Sequence, residues 1–263
     1  MSWNGFKKAV SRAGTSVMMK AGQIEQTVDR EYEMQERRFR TMERATNNLQ
    51  KEAKGYLDSL RAMTSAQVKI AEVIDVFYGD SGASDDVSTR YLTAVRELDS
   101  ETVKELDEPY RECVLEPITR FTSYFVDVNE AIKKRSHKLM DYDKLRAKTK
   151  KLIDKPSDDS GKLPLAEREE NQAREIYTHL NDQLTAELPQ LIDFRVPYLD
   201  PSFEALVKIQ LRFCQEAYTR LAEVQQYLEP QVRDDYASGQ LDTDVEAALV
   251  KMRELTIAGL AKA

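Results

Sequence analysis

The stretch "AIKKRSHKLMDYDKLRAKTKKLIDK", Ala131 to Lys155, concentrates positive charge on one helix face. Lys134, Lys138, Asp141, Lys144, Lys148, Lys151 and Lys155 follow one another in steps of three or four, and Lys133 and Arg135 adjoin the first of them. Asp141 is the one acid in that series. On the opposite side Ile132, Leu139, Tyr142, Leu145 and Leu152 are free to pack on the rest of the chain. A second basic cluster opens the sequence. "MSWNGFKKAVSRAGTSVMMKAGQI" contains no Asp or Glu, although the whole chain has 46 acids against 39 Lys and Arg and a net charge of -7. On a helical wheel Trp3, Phe6, Val10, Ala13 and Val17 share one arc, and Lys7, Lys8 and Arg12 lie on the other side with Asn4, Ser11 and Thr15.

The chemistry these residues offer is adhesion to an anionic surface. An aromatic, apolar stripe backed by Lys and Arg, with Gly5 and Gly14 weakening the helix in water, suits a segment that folds at a lipid interface. Each basic residue near an anionic membrane contributes about 1 kcal/mol within a Debye length of roughly 8 Å. Burying Trp3, Phe6 and Val10 adds about 1.5 to 3 kcal/mol each as an upper range. The alternative is that the N-terminal segment docks on its own helices.

Other chemistries find little support. His137 and His179 have no metal-ligand spacing, no Gly-rich phosphate loop is present, and no Ser or Cys stands in a nucleophile motif, so no enzyme, cofactor or metal is expected. His137 reads as part of the basic face and His179 as a surface or packing residue. Cys113 and Cys214, each isolated in an apolar helical pattern, read as core residues in a reducing compartment. Nucleic acid is not expected, because no stacking aromatics interleave with the lysines and the chain is acidic. No run approaches the roughly 18 to 20 apolar residues of a membrane span. The N-terminus lacks the continuous apolar stretch of a secretory signal, and Ser2 is not the acceptor for myristoylation.

The elements that must carry these clusters are long helices. Nine Gly and eight Pro in 263 residues leave few breakers. From Val28, alternating steps of four and three reach Tyr32, Gln35, Phe39, Met42, Thr46, Leu49, Ala53, Tyr56, Leu60, Met63, Gln67, Ile70, Ile74 and Phe77. A repeat of about 3.5 residues sustained this long predicts one coiled-coil helix of about 50 residues, roughly 75 Å. Helices are expected over about 25–78, 88–154 and 165–229, broken by "GDSGASDD" and "DKPSDDSGKLP". The second shows a seam at Ile118, Phe121, Phe125, Val128 and Ile132. Pro109, Pro117, Pro189, Pro197 and Pro201 predict kinks in the second and third. The expectation is therefore all-α: an elongated, kinked, antiparallel three-helix protomer. Because the rod exposes more apolar surface than three helices cover, with Phe203, Leu206, Ile209, Phe213 and Leu221 adding to the first seam, it is expected to dimerise. The dimer seam is assigned to Phe39, Met42, Leu49, Tyr56, Leu60 and Phe213.

These features together resemble the N-BAR domain of the amphiphysin family, in particular its short fungal members of the reduced-viability-upon-starvation type. The resemblance rests on the amphipathic start with Trp3 and Phe6, the heptad rod, "IKKRSHKLMDYD" at 132–143 and "ELPQLIDFRVPYLDPSF" at 187–203, and it covers about residues 1–230. It implies an N-terminal amphipathic helix (1–24) wedged into lipid through Trp3, Phe6, Val10 and Val17. It implies a BAR bundle (25–230) in a crescent dimer. Its concave face would bind anionic phospholipid, with Lys134, Arg135 and Lys138 placed there by the resemblance; Lys133, Lys144, Lys148 and Lys151 of the basic helix face and Lys7, Lys8 and Arg12 of the N-terminal helix complete the expected electrostatic contacts. A tail (231–263) follows, read as one short helix through Leu241, Val245, Leu249 and Met252, with no room for an SH3 domain. The family implies sensing and shaping of curved membrane in endocytic vesicle scission, coupled to cortical actin and cell polarity. Its members would work in the cytoplasm at the cell cortex and endocytic actin patches, with a related SH3-bearing BAR protein as dimer partner and actin-associated endocytic proteins nearby. The distal loop offers only Lys155 and Lys162 beside Asp158 and Asp159, so binding is expected to lean on the second helix and the N-terminal helix. A coiled-coil adaptor for cytoskeletal proteins is the competing expectation.

Overall fold

The computed structural model describes residues 3–22, 24–79, 87–228, 230–255 and 257; within these, the side chains of 3–9, 20 and 230–233 are not described. Every element among the described residues is helical. The helices are α1 (Trp3–Lys20), α2 (Arg30–Gly79), α3 (Val87–Glu97), α4 (Val103–Tyr110), α5 (Glu116–Asp154), α6 (Lys162–Gln225), α7 (Pro230–Ser238) and α8 (Gln240–Arg253). Two π turns, Leu98–Thr102 and Arg111–Leu115, join α3 to α4 and α4 to α5. The stretch expected as one kinked helix therefore continues through two widened turns. Leu106, Tyr110, Val114 and Ile118 are all buried at successive steps of four. Such steps outrun the 3.6-residue period of an α-helix, and a wider turn returns them to one side. The tail forms two short helices where one was expected. α6 stays helical through Pro189, Pro197 and Pro201.

The chain divides into two compact units, residues 1–54 with 112–204 and residues 55–111 with 205–263. The first unit packs α2, α5 and α6 around Tyr32, Phe39, Met42, Phe121, Phe125, Ile132, Leu184, Leu188 and Ile192. Phe39 and Phe125 meet edge to face at 5.6 Å, and Phe121 lies 5.2 Å from Phe125. Edge-to-face rings at this distance add about 0.5–1.5 kcal/mol beyond their buried area. α2 begins where Asp29 accepts the backbone N–H of Tyr32 at 3.1 Å, an N-cap at the entrance to the heptad run.

The second unit has a smaller apolar cluster, with ion pairs nearer its surface. Ala71, Leu92 and Val95 pack together with Val68 and Tyr91, and elsewhere in the unit Tyr56 stacks on Tyr110 at 5.7 Å. The Thr64 hydroxyl donates to Asp99 at 2.5 Å. Arg61 pairs with Asp107, Arg96 with Glu72 at 2.9 Å, and Arg220 with Glu97 and Glu101.

Burial corrects the dimer-seam assignment. Phe39, Met42, Leu60 and Phe213 are buried inside the protomer and Tyr56 is half-buried, so their heptad spacing records packing within the chain. Only Leu49 of that set is exposed. Other apolar residues face outward in the second unit: the heptad positions Met63, Ile70 and Phe77 on α2, and Val207, Leu211 and Tyr218 on α6. Cys113 and Cys214 are also exposed and unpaired with each other, contrary to the core reading.

Candidate membrane-binding site

The two basic clusters meet in the first unit, where α1 lies on α5. Arg12 makes a two-pronged ion pair with Asp141, Nε to Oδ1 at 3.0 Å and Nη2 to Oδ2 at 2.7 Å. Hydrogen bonding to Asp141 raises the Arg12 pKa, against the lowering effect of burial. The Lys144 ammonium donates to the Ser11 hydroxyl at 2.6 Å. Thr15 is buried, with its hydroxyl turned back to the Ser11 carbonyl at 3.0 Å. The helix is thus attached by its polar face. Val10 and Val17, of the apolar arc, are 57% and 67% exposed. A helix docking on a protein core would bury those residues and expose Arg12 and Thr15, the reverse of the observed arrangement. The side chains of Trp3, Phe6, Lys7 and Lys8 lie outside the described residues.

Lysines of α5 continue this surface. Lys133, Lys134, Lys144, Lys148 and Lys151 are exposed and Lys138 is half-exposed. Lys133 is 3.5 Å from Glu130 and Lys148 is 2.8 Å from Glu169. Among the described residues Lys134, Lys138 and Lys151 meet no carboxylate. Arg12, Lys133, Lys134, His137 and Lys138, with Glu130 and Ala131, line an open groove of about 390 Å3 between α1 and α5. Burial lowers the pKa of His137, as do Arg12 and Lys133, while Asp141 and Glu130 act in the opposite direction.

Arg135 does not belong to this surface. It is 6% exposed, with its guanidinium 3.7 Å from the Tyr32 ring centre and 5.2 Å from that of Tyr177. It donates to Asn181 Oδ1 at 3.0 and 2.6 Å and to the Tyr177 hydroxyl at 3.1 Å. Asn181 in turn donates to Asp29 at 2.6 Å, which ties α6 and α5 to the cap of α2. Burial raises the pKa of Asp29, but the Tyr32 N–H, Asn181 and Arg135 outweigh it and hold the carboxyl below its ordinary value. Arg12 needs a lesser correction, because Asp141 neutralises it in place.

The remaining polar residues of "KLMDYD" are fixtures too. Asp143 is fully buried and accepts the Thr27 N–H at 3.1 Å and the Thr27 hydroxyl at 2.5 Å. Arg146 reaches the Glu25 carbonyl at 2.7 Å. Tyr142 stacks on Tyr177 at 5.8 Å. This part of the motif anchors the connection between α1 and α2 and leaves Lys134 and Lys138 to face outward. Sequence reasoning missed Asp29, Tyr177 and Asn181. Asp29, placed directly before the periodic run, was the one signal available.

A family model described as "BAR domain" matches residues 6–230. The chain belongs to the BAR domain family. It is 64% identical to "Protein hob3" of Schizosaccharomyces pombe over 260 residues, 99% of this chain and 98% of that protein. It is 55% identical to "Regulator of cytoskeleton and endocytosis RVS161" of Candida albicans over the full length of both chains. Among solved structures, the amphiphysin BAR domain from Drosophila superposes with a TM-score of 0.61 at 24% identity, covering 82% of this chain and 97% of that one. That likeness supports the helical coiled-coil fold of this BAR protein. No helix among the described residues is long and apolar enough to cross a membrane.

Proposed function

We propose that this BAR protein binds curved anionic membrane and acts, without catalysis, in endocytic membrane remodelling at the cell cortex. The observation that carries the reading is the orientation of α1, with Val10 and Val17 outward and the polar face down on α5, the helix that carries Lys134, Lys138 and Lys151, which meet no carboxylate among the described residues. Apolar side chains so placed can enter the headgroup region while Lys134, Lys138 and Lys151 meet lipid phosphates. The 55% identity with a protein named for the cytoskeleton and endocytosis supports the cellular setting and a link to cortical actin.

The working unit in this reading is a crescent dimer. Met63, Ile70, Phe77, Val207, Leu211 and Tyr218 form exposed apolar stripes of the kind a monomer does not leave in water. The second subunit is another copy or a related SH3-bearing chain.

Co-sedimentation with anionic vesicles of several diameters, alone and with an SH3-bearing relative, tests the proposal. Tighter binding to smaller vesicles is expected. Equal binding at every diameter removes the curvature reading. Absence of binding in all mixtures leaves a protein-only coiled-coil adaptor.

A further inference from the structure

The first unit also has a groove of about 580 Å3 between α2 and α6, with Met42, Ile192 and Leu199 along its floor and Arg37, Arg38 and Arg195 around it. Among the described residues none of the three arginines meets a carboxylate. Arg38 donates to the amide oxygen of Gln35 at 2.9 Å and Arg195 to the carbonyl of Ile192. In a chain with more acids than bases, three arginines without an acid around an apolar floor form half of an interface. The missing half must bring carboxylates for the guanidinium forks and an apolar side chain for the floor.

The end of α2 has that chemistry. Val73, Val76 and Phe77 are 70%, 80% and 78% exposed. The following residues, 79–86, read "GDSGASDD" and supply Asp80, Asp85 and Asp86 with no Lys or Arg. Arg37 and Phe77 both belong to α2, and a helix does not fold back on itself to bring distant residues together.

We infer that the arginine groove receives the Phe77 end and acidic 79–86 segment of a second copy of this chain. A twofold dimer makes such a junction twice, groove to segment and segment to groove, and this sets the register that apolar stripes alone leave loose. The inference rests on the dimer reading above and assigns it a polar lock.

Sedimentation of the full chain with two surface variants tests it. Arg37→Glu with Arg38→Glu and, separately, Asp85→Lys with Asp86→Lys should each weaken self-association by tenfold or more. Circular dichroism should show helicity unchanged. In an equimolar mixture both junctions regain opposite charges, so association should return to the wild-type level. Phe77→Ser, which changes no charge, should also weaken the dimer. Failure of the mixture to recover, or wild-type association of the charge variants, overturns the lock while the dimer stands. A wild type that is monomeric alone overturns the lock between two copies and leaves a related chain as the second subunit.

Discussion

Lys134 and Arg135 are neighbours in the sequence and opposites in the structure. The helix turns Lys134 to solvent and carries Arg135 between two tyrosine rings. Arg135→Ala should therefore destabilise the bundle by about 2–4 kcal/mol, because it removes the charged hydrogen bonds and the cation–π stacking together. Denaturant unfolding measures this, and the folded fraction should keep its vesicle affinity. Lys134→Glu with Lys138→Glu should do the opposite. Vesicle binding should weaken by roughly thirtyfold or more at low salt, at about 1 kcal/mol per charge removed, with the unfolding midpoint nearly unchanged. His137 gives a pH readout of the same surface. Its folded pKa is depressed, so the unfolded chain takes the proton more readily; this group's stabilisation is present above the ordinary value of about 6.5 and is lost as pH falls through it towards the folded value. An anionic surface favours the imidazolium, so the NMR titration midpoint of His137 should move up when anionic vesicles are added. A midpoint that stays fixed would exclude the α1/α5 groove from the membrane-binding surface.

The decisive element is α1, and the decision lies in which face it turns inward. Its apolar arc is legible on a wheel, but an arc is equally consistent with docking on protein and with insertion into lipid. Asp141, Lys144 and the buried site of Thr15 settle the orientation, since each supplies a partner that only the polar face can use. Val17→Glu is then a clean probe. The residue is 67% exposed, so the substitution should leave thermal unfolding within about 0.5 kcal/mol. Vesicle co-sedimentation should fall several-fold, through loss of apolar burial and repulsion from anionic headgroups. Retained binding would remove the wedge.

For the whole molecule, adhesion combines a screened part and an unscreened part. Raising salt from about 0.01 to 0.15 M shortens the Debye length from about 30 to 8 Å and weakens the lysine contribution, whereas apolar burial is not reduced. Val17→Glu changes the charge by one unit only and should consequently keep a salt dependence close to that of wild type. The Lys134/Lys138 variant should show the shallower curve. Equal slopes would mean that the two surfaces do not act separately.

Helix class, the long heptad run and the two basic clusters were determined by the sequence, because periodicity and local composition are properties of neighbouring residues. Which heptad residues face inward was not. Phe39 fills the protomer's own core whereas Ile70 does not, and spacing is the same for both kinds. The lysine run likewise included Arg135, whose partners Tyr177 and Asn181 lie more than 40 positions away on another helix. Long-range partners carry no signal in local spacing. Only the packing of α2, α5 and α6 decides which cations are fixtures and which remain available to a membrane.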